Sequence, residues 1–285
     1  MNGFYIDCEL NYEVSDPSVF VFNIEAAQTP EQHVLSEQLS TLPALALERY
    51  TDSVGNRFVR IQALPGPLSV LYTATVIVER ISNPADSSLT SVAYLPAEVM
   101  PFLLASRYCE SDTLFPLAVR RFGSLPSDYE RITAICEWIR ANIDYVVGTS
   151  LAHGTARDVL LNRTGVCRDF AHVAIALCRA LNIPARFVTG HVQWETPPPD
   201  FHAIFEAYLG GRWILFDPTA MASTQNVVRI GAGRDAADVA FATIFGRARM
   251  TRMNPLTRVL SQHEISEGIQ SSSPRQVVQM LAHAA

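Results

Sequence analysis

The sequence contains no lysine: all 22 basic residues among its 285 positions are arginine. In a chain that is alanine-rich throughout, this substitution of arginine for lysine is typical of the codon bias of a GC-rich genome. The 28 acidic residues outnumber the arginines, so the formal net charge is -6. Because no basic stripe is available to follow phosphate groups, the charge balance argues against a nucleic-acid partner.

Long hydrophobic runs are also absent. No stretch is long enough to span a bilayer, and residues 1–5 have neither the basic start nor the apolar length of a signal peptide. The five cysteines form no paired framework, which agrees with a reducing compartment. These absences predict a cytoplasmic protein that does not bind membranes.

One short stretch, Thr164–His172, combines a tight glycine turn with the start of a helix. Apolar residues recur at helical spacing after Cys167, and Asn182 with Pro184 ends the pattern, so we predict a helix over roughly 166–181. Cys167 then lies in the first helical turn, where unpaired N–H groups and the helix dipole favour a thiolate. A buried structural cysteine is the alternative interpretation of this position.

A hairpin downstream supplies two partners for this thiol. The pattern predicts strands over 186–193, 202–209 and 212–216, with the last two joined by a glycine turn at 210–211. In that register residue i faces residue 421 − i, which places Asp217 opposite Ile204. His202 lies two residues from Ile204 and therefore shares its face, at roughly 7 Å from Asp217 between backbones. An odd-numbered turn would instead separate the two side chains.

Cysteine, histidine and aspartate in this arrangement meet the needs of nucleophilic catalysis. The carboxylate holds the imidazole in one tautomer, the imidazole takes the thiol proton, and the thiolate attacks an acyl carbon.

These motifs resemble the transglutaminase-like superfamily, and more narrowly its bacterial branch of transglutaminase-like cysteine proteases. The resemblance rests on Gly165–His172, Ala180–Arg186, His202-Ala203 and Phe216–Thr219, in the order and spacing of that family. It implies a papain-like core in which Cys167 is the nucleophile, His202 the general base and then acid, and Asp217 the residue that orients the histidine. Ile204 stands where the family commonly has tryptophan, and this departure affects the expected shape of the substrate pocket.

The expected fold class is α+β, with a β-sandwich-like domain followed by a papain/transglutaminase-like core in which the catalytic helix packs on an antiparallel sheet. Many short strands with turn signals predict the N-terminal β domain over residues 1–82, which also resembles the domain preceding the core in the same family. We further predict a linker and connecting region over 83–126, the catalytic core over 127–260 and a C-terminal tail over 261–285.

Two further residues are candidates for substrate binding. Arg168 follows the nucleophile and either contacts substrate or pairs with a carboxylate. Trp194 precedes a proline-rich loop before His202, and it either borders the cleft or packs at a strand end. The histidines show no paired ligand spacing, so we expect no metal and no other cofactor.

The resemblance favours a hydrolase that cleaves a peptide or side-chain amide through a thioester. Three alternatives remain open: a protein-glutamine transglutaminase with an amine acceptor, a binding or scaffold protein that keeps the fold without turnover, and an arylamine acetyltransferase-like enzyme. The last would need a coenzyme A site, and no phosphate cradle is evident in the sequence. The expected partner is a peptide or protein substrate. A homodimer is compatible with an acidic two-domain chain, although no repeat or apolar stripe indicates one.

Overall fold

The computed structural model describes residues 2–79, 91–151, 153–194 and 199–266. Part of the predicted linker, most of the proline-rich loop and most of the C-terminal tail lie outside these ranges. The N-terminal part consists of strands whose side chains alternate between a buried and a more exposed face, as in Phe4, Ile6, Cys8 and Leu10. Its strands are β1 (Asn2–Val14), β2 (Ser18–Phe22), β3 (Gln32–Leu42), β4 (Glu48–Thr51), β5 (Arg57–Ala63) and β6 (Gly66–Val78).

The rest of the described chain contains the α-helices and eight further strands. Short 3₁₀ turns occur at Val92–Tyr94, Met100–Leu103 and Thr224–Asn226. The longer elements are α1 (Ser111–Phe122), α2 (Asp128–Asn142), β7 (Asp144–Tyr145), α3 (Ala156–Asn162), β8 (Thr164–Gly165), α4 (Cys167–Ala180), β9 (Ala185–Val192), β10 (His202–Leu209), β11 (Arg212–Phe216), β12 (Val227–Gly233), β13 (Ala242–Phe245), β14 (Ala248–Leu260) and α5 (Gln262–Ser266).

Two antiparallel sheets form the N-terminal sandwich. Their strand orders are β14-β1-β6-β3 and β13-β2-β5-β4. Residues 242–260 therefore pair with the first strands of the chain, although the sequence analysis placed them in the catalytic core. The difference arises because the partners of β13 and β14 lie more than two hundred residues earlier, and a local pattern does not specify so distant a partner.

The second part of the fold is built around α4. This helix packs against β9 and β10 of a third antiparallel sheet, whose order is β11-β10-β9-β12, and against α1, α2 and α3. Every residue from Asp169 to Ala180 is buried, because neighbours surround the helix on all sides. The structure confirms the predicted α+β class and the packing of this helix on an antiparallel sheet.

The sandwich and the helical part share a packed interface. Nε2 of the buried His191 lies 2.9 Å from the carbonyl oxygen of Ile24. Asn56 binds the backbone of Ala232 twice: its Nδ2 donates to the carbonyl and its Oδ1 accepts from the amide, each at 2.8 Å. Val228 also contributes to the sandwich core. Among the described helices, none is both long and apolar enough to cross a membrane.

Candidate active site

The backbone before α4 delivers Cys167 as the first residue of the helix. Asp169, two residues further on, is buried and accepts a hydrogen bond from the Val166 amide at 3.0 Å. A Cβ atom on Gly165 would lie 2.7 Å from Cβ of Asp169, so this turn accepts only glycine without a shift. Cys167 is partly exposed, whereas the other four cysteines are buried. The thiol therefore lies at the start of the helix, as the sequence predicted.

His202 and Asp217 meet across the hairpin in the predicted register. Phe205 pairs with Phe216, so the two strands follow the 421 − i relation up to the end of β11. Nε2 of His202 lies 2.9 Å from Oδ2 of Asp217, and both side chains are almost fully buried. The even-numbered glycine turn brings the pair together as the sequence analysis required.

Three backbone and side-chain donors fix the Asp217 carboxylate. Its Oδ1 accepts from the amide and the hydroxyl of Thr219 at 2.8 and 2.7 Å, and its Oδ2 accepts from the Ala222 amide at 2.9 Å. Burial alone would raise the pKa of Asp217, but the hydrogen bonds from His202, Thr219 and Ala222 lower it below its ordinary value. The carboxylate is therefore held ionised and in a fixed orientation.

The His202 imidazole interacts with both Asp217 and the Cys167 thiol. Burial lowers the pKa of His202, whereas the hydrogen bonds to Asp217 and Cys167 raise it, and the net value is about 9. Nε2 is engaged by Asp217, and no nitrogen or oxygen of the described residues binds Nδ1. Nδ1 is therefore the nitrogen left to exchange a proton with the thiol, and the ring is cationic at neutral pH.

Tyr145 is a site residue that the sequence analysis missed. The two-residue strand β7 pairs in parallel with β8, which places Tyr145 beside Gly165. Burial, followed by the neighbouring Cys167, raises the pKa of Tyr145 above its ordinary value. A strand of two residues has no periodicity to detect, so only its position after α2 could have drawn attention to it.

The two predicted substrate-binding residues have protein partners in the structure. Arg168 pairs with Asp169 at 3.1 Å and donates to the Ser150 hydroxyl and the Leu151 carbonyl at 2.9 and 2.6 Å. Arg168 thereby joins the loop around Ser150 to the start of α4. Its pairing with Asp169 corresponds to the second alternative of the sequence analysis, in which Arg168 pairs with a carboxylate.

Trp194 lies against the histidine of the site. Its ring meets the His202 ring edge to face, with 5.2 Å between centroids, and its Nε1 donates to the Asp200 carbonyl. These contacts place Trp194 at the border of the site and show how it shields one side of the imidazole. A role in contacting substrate stays a prediction.

Other buried histidines and cysteines are packing residues. His172 stacks on Tyr108 and lies against the tilted ring of Phe187, and its Nε2 accepts from the Ala236 amide. Burial lowers the pKa of His172 well below its ordinary value, so the ring is neutral. Cys8, Cys136 and Cys178 lie in hydrophobic cores, and Cys109 is also buried. Within the described ranges, no cluster of three or more metal-ligating side chains occurs.

A cavity of about 610 Å³ lies apart from these residues, between the Asp52–Asn56 turn and the helical part. Arg186 and Trp213 line it, with the guanidinium 4.2 Å from the ring centroid. Arg186 pairs in register with Glu206, four residues along β10 from His202. None of Cys167, His202 and Asp217 lines this cavity, so it is not the place where the thiol would meet a substrate.

Comparison with known proteins identifies the family to which both parts of the fold are similar. Residues 117–218 match the family described as the transglutaminase-like superfamily, and residues 2–98 match the bacterial transglutaminase N-terminal domain. The chain is 29% identical over 246 residues to an uncharacterized protein from Mycobacterium leprae, covering 80% of this chain and 88% of that protein. An uncharacterized protein from Mycobacterium tuberculosis is 32% identical over 115 residues, which cover 35% of this chain and 37% of that protein.

A solved structure extends the similarity to nearly the whole chain. The crystal structure of a "putative cysteine protease" from Cytophaga hutchinsonii superposes with a TM-score of 0.87 at 42% identity, covering 92% of this chain and 91% of that one. Both halves of the fold are therefore shared with this relative, including the sandwich that precedes the helical part. The chain belongs to the transglutaminase-like superfamily and carries the bacterial N-terminal domain of that family.

Proposed function

We propose that this protein is a cysteine-dependent acyl-transfer enzyme that hydrolyses a peptide or side-chain amide. The observation that carries the proposal is the assembly of Cys167 at a helix start beside a buried imidazole that is itself bound to Asp217 at 2.9 Å. A cationic imidazole and a helix N-terminus both favour the thiolate form of a neighbouring cysteine. Thiolates of this kind attack acyl carbons.

The residues divide the reaction between them. Sγ of Cys167 bonds to the amide carbon, and the carbonyl electrons move onto oxygen, where the Cys167 amide stabilises the negative charge. His202 then gives its Nδ1 proton to the leaving amine, the C–N bond breaks and a thioester remains. His202, which is now neutral, deprotonates a water molecule that adds to the thioester carbon. The C–S bond then breaks, which releases the acid and regenerates Cys167. Asp217 orients the imidazole and stabilises its cationic form throughout.

Two observations support hydrolysis over transfer to an amine. The motifs resemble the protease-like bacterial branch, and the Cytophaga hutchinsonii relative is described as a "putative cysteine protease". A transferase must also exclude water from the thioester, which requires an enclosed acceptor site. The chain's lack of lysine fits codon bias, and it does not argue for a protein that avoids cross-linking itself.

The test is to incubate the protein with a mixture of peptides and to follow new amines, with and without added hydroxylamine. We expect acid products that carry ¹⁸O from labelled water, and loss of at least about 10³-fold of the rate in Cys167→Ala. Cys178→Ala is the control, since it removes a buried thiol from the same helix. Full activity in Cys167→Ala would overturn the proposal, and exclusive formation of hydroxamate would replace the hydrolase with a transferase.

A further inference from the structure

The cavity of about 610 Å³ between the sandwich and the helical part lies against the face of the third sheet that points away from α4. Phe205 and Ala207 of β10 pack in the core around α4, so Glu206 between them points to the opposite face. Arg186 is directly across from Glu206 on β9, and Trp213 occupies the same face on β11. A cavity of this volume is large enough for a small-molecule ligand.

The Arg186 side chain is held in one orientation at the wall of this cavity. Its Nε donates to Oε2 of Glu206 at 2.6 Å, and its guanidinium carbon lies 4.2 Å from the Trp213 ring centroid and 5.9 Å from that of Phe102. Among the described residues, none accepts a hydrogen bond from either Nη atom. The planar group is therefore fixed along one edge, while the donors of its other edge remain available to a ligand.

The carboxylate that binds Arg186 is shared with a second arginine. Glu206 is fully buried, and its other oxygen, Oε1, accepts from Arg229. Glu206 therefore neutralises Arg186 only in part. Burial lowers the pKa of Arg186 to about 10, so the guanidinium is still cationic at neutral pH. A cation that is largely removed from water is stabilised by a further anion.

We propose that this cavity binds a small carboxylate with an apolar body. The carboxylate accepts hydrogen bonds from the two Nη atoms of Arg186, a geometry that the guanidinium fork matches. The apolar body lies among Trp213, Phe102 and Val54, which line the same cavity. The inference is independent of the proposed function, because the cavity is separate from Cys167 and its partners.

The charges of the lining favour a single negative charge on the ligand. Asp52, Glu98 and Asp238 line the cavity, and Asp238 is paired with Arg234. A dianion such as a phosphate monoester would approach these three carboxylates with only the Arg186 fork to offset its charge. A monocarboxylate needs no more than that fork. The observations therefore favour a carboxylate over a phosphate.

The experiment measures the binding of matched probes by isothermal titration calorimetry. We expect wild type to bind 2-naphthoate at least about tenfold more tightly than 2-naphthamide, which has the same apolar body without the charge. Arg186→Lys keeps a positive charge beside Glu206 but lacks the fork and the stacking plane, and it should weaken 2-naphthoate about tenfold. Arg60→Lys, an exposed position paired with Glu48, is the matched control and should bind like wild type.

A second measurement locates the probe without any substitution. On addition of 2-naphthoate, the indole N–H resonance of Trp213 should shift in the nuclear magnetic resonance spectrum of wild type. The corresponding resonance of Trp138, which packs against Phe122, should not shift. This measurement and the comparison of acid with amide decide the question even if Arg186→Lys does not fold.

Several results would overturn the proposal. Equal affinities for the acid and the amide would show that the cavity recognises only an apolar body. Wild-type affinity in a folded Arg186→Lys protein, a shift at Trp138 in place of Trp213, or no saturable binding of the acid would remove the assigned site. Tighter binding of 2-naphthyl phosphate than of 2-naphthoate would replace the carboxylate with a phosphate ester.

Discussion

Nε2 of His202 and Oδ2 of Asp217 lie 2.9 Å apart, and this contact joins the start of β10 to the residue that follows β11. The carboxylate is itself held by Thr219 and the Ala222 amide, so it has little freedom to turn away. The contact fixes which imidazole nitrogen faces the thiol, and it links the hairpin register to the chemistry of the site.

Asp217→Asn should abolish most of the amide hydrolysis without unfolding the protein. The amide side chain fits the same space but neither stabilises a cationic imidazole nor enforces its tautomer. We expect kcat to fall roughly 10³ to 10⁴-fold, as in related triads. The measurement is steady-state hydrolysis together with near-ultraviolet circular dichroism. Asp238→Asn, which breaks an exposed pair with Arg234, is the control, and a loss of less than tenfold in Asp217→Asn would contradict the role of Asp217.

The pH dependence of amide hydrolysis should report the ionisation of His202. Because the pKa of His202 is raised to about 9, the ring is protonated at neutral pH and loses its proton as the pH rises through about 9. Protonation of the leaving amine is then lost, so kcat should decline above that pH. A p-nitrophenyl ester needs no such proton, and its acylation rate should not show the decline. A basic limb near pH 6.5 would contradict the account.

The same shift in pKa affects stability. A group whose pKa is raised on folding contributes stability that is complete below the unfolded value of about 6.5 and is lost as the pH rises through the folded value. Thermal unfolding of wild type and His202→Gln at pH 6 and pH 10 measures this contribution. The difference in melting temperature between the two proteins should be larger at pH 6, and an unchanged difference would show that the ring is not cationic in the folded protein.

Gly165→Ala should disturb the turn that positions the nucleophile. The new Cβ would lie 2.7 Å from Cβ of Asp169, so either the turn or the start of α4 must move. Overpacking of this kind costs about 1–3 kcal/mol of unfolding free energy. Urea denaturation gives the stability change, and alkylation of Cys167 in the folded protein gives the change in the site. Wild-type values in both would mean that the turn tolerates a side chain.

Asn56→Ala should weaken the junction between the sandwich and the helical part. The change leaves the amide and the carbonyl of Ala232 without their partner in a buried region. Unsatisfied buried groups are costly, and we expect a loss of about 2 kcal/mol or more. Ser53→Ala, at an exposed position of the same turn, should change the unfolding free energy by less than about 0.5 kcal/mol. Equal effects of the two substitutions in urea denaturation would contradict the assignment.

Local patterns predicted most of the site because its parts lie on short, regular elements. The helical spacing after Cys167 gives the helix, and the two-residue glycine turn determines which residues face each other across the hairpin. Once the register is known, the approach of His202 to Asp217 follows from strand geometry. The family resemblance then assigned roles to residues that the geometry had already placed together.

The features that sequence reasoning did not find depend on distant partners. β14 pairs with β1 from the other end of the chain, and nothing in the pattern of residues 248–260 identifies that partner. Tyr145 lies beside Gly165 through the pairing of a strand of two residues, which is too short to have a period. Both features depend on tertiary packing and strand pairing, which a local sequence pattern does not specify.

The most direct test of the account is the rate at which iodoacetamide alkylates Cys167 as a function of pH, in wild type and in His202→Ala. The other four cysteines are buried, and Cys167→Ala supplies the background. An ordinary cysteine, with a pKa of about 8.5, is mostly unreactive below pH 7. The account predicts that wild type keeps most of its maximal rate at pH 6 to 7 and that His202→Ala loses it. An ordinary pH profile that the substitution does not change would show that the thiol and the imidazole do not act as a pair.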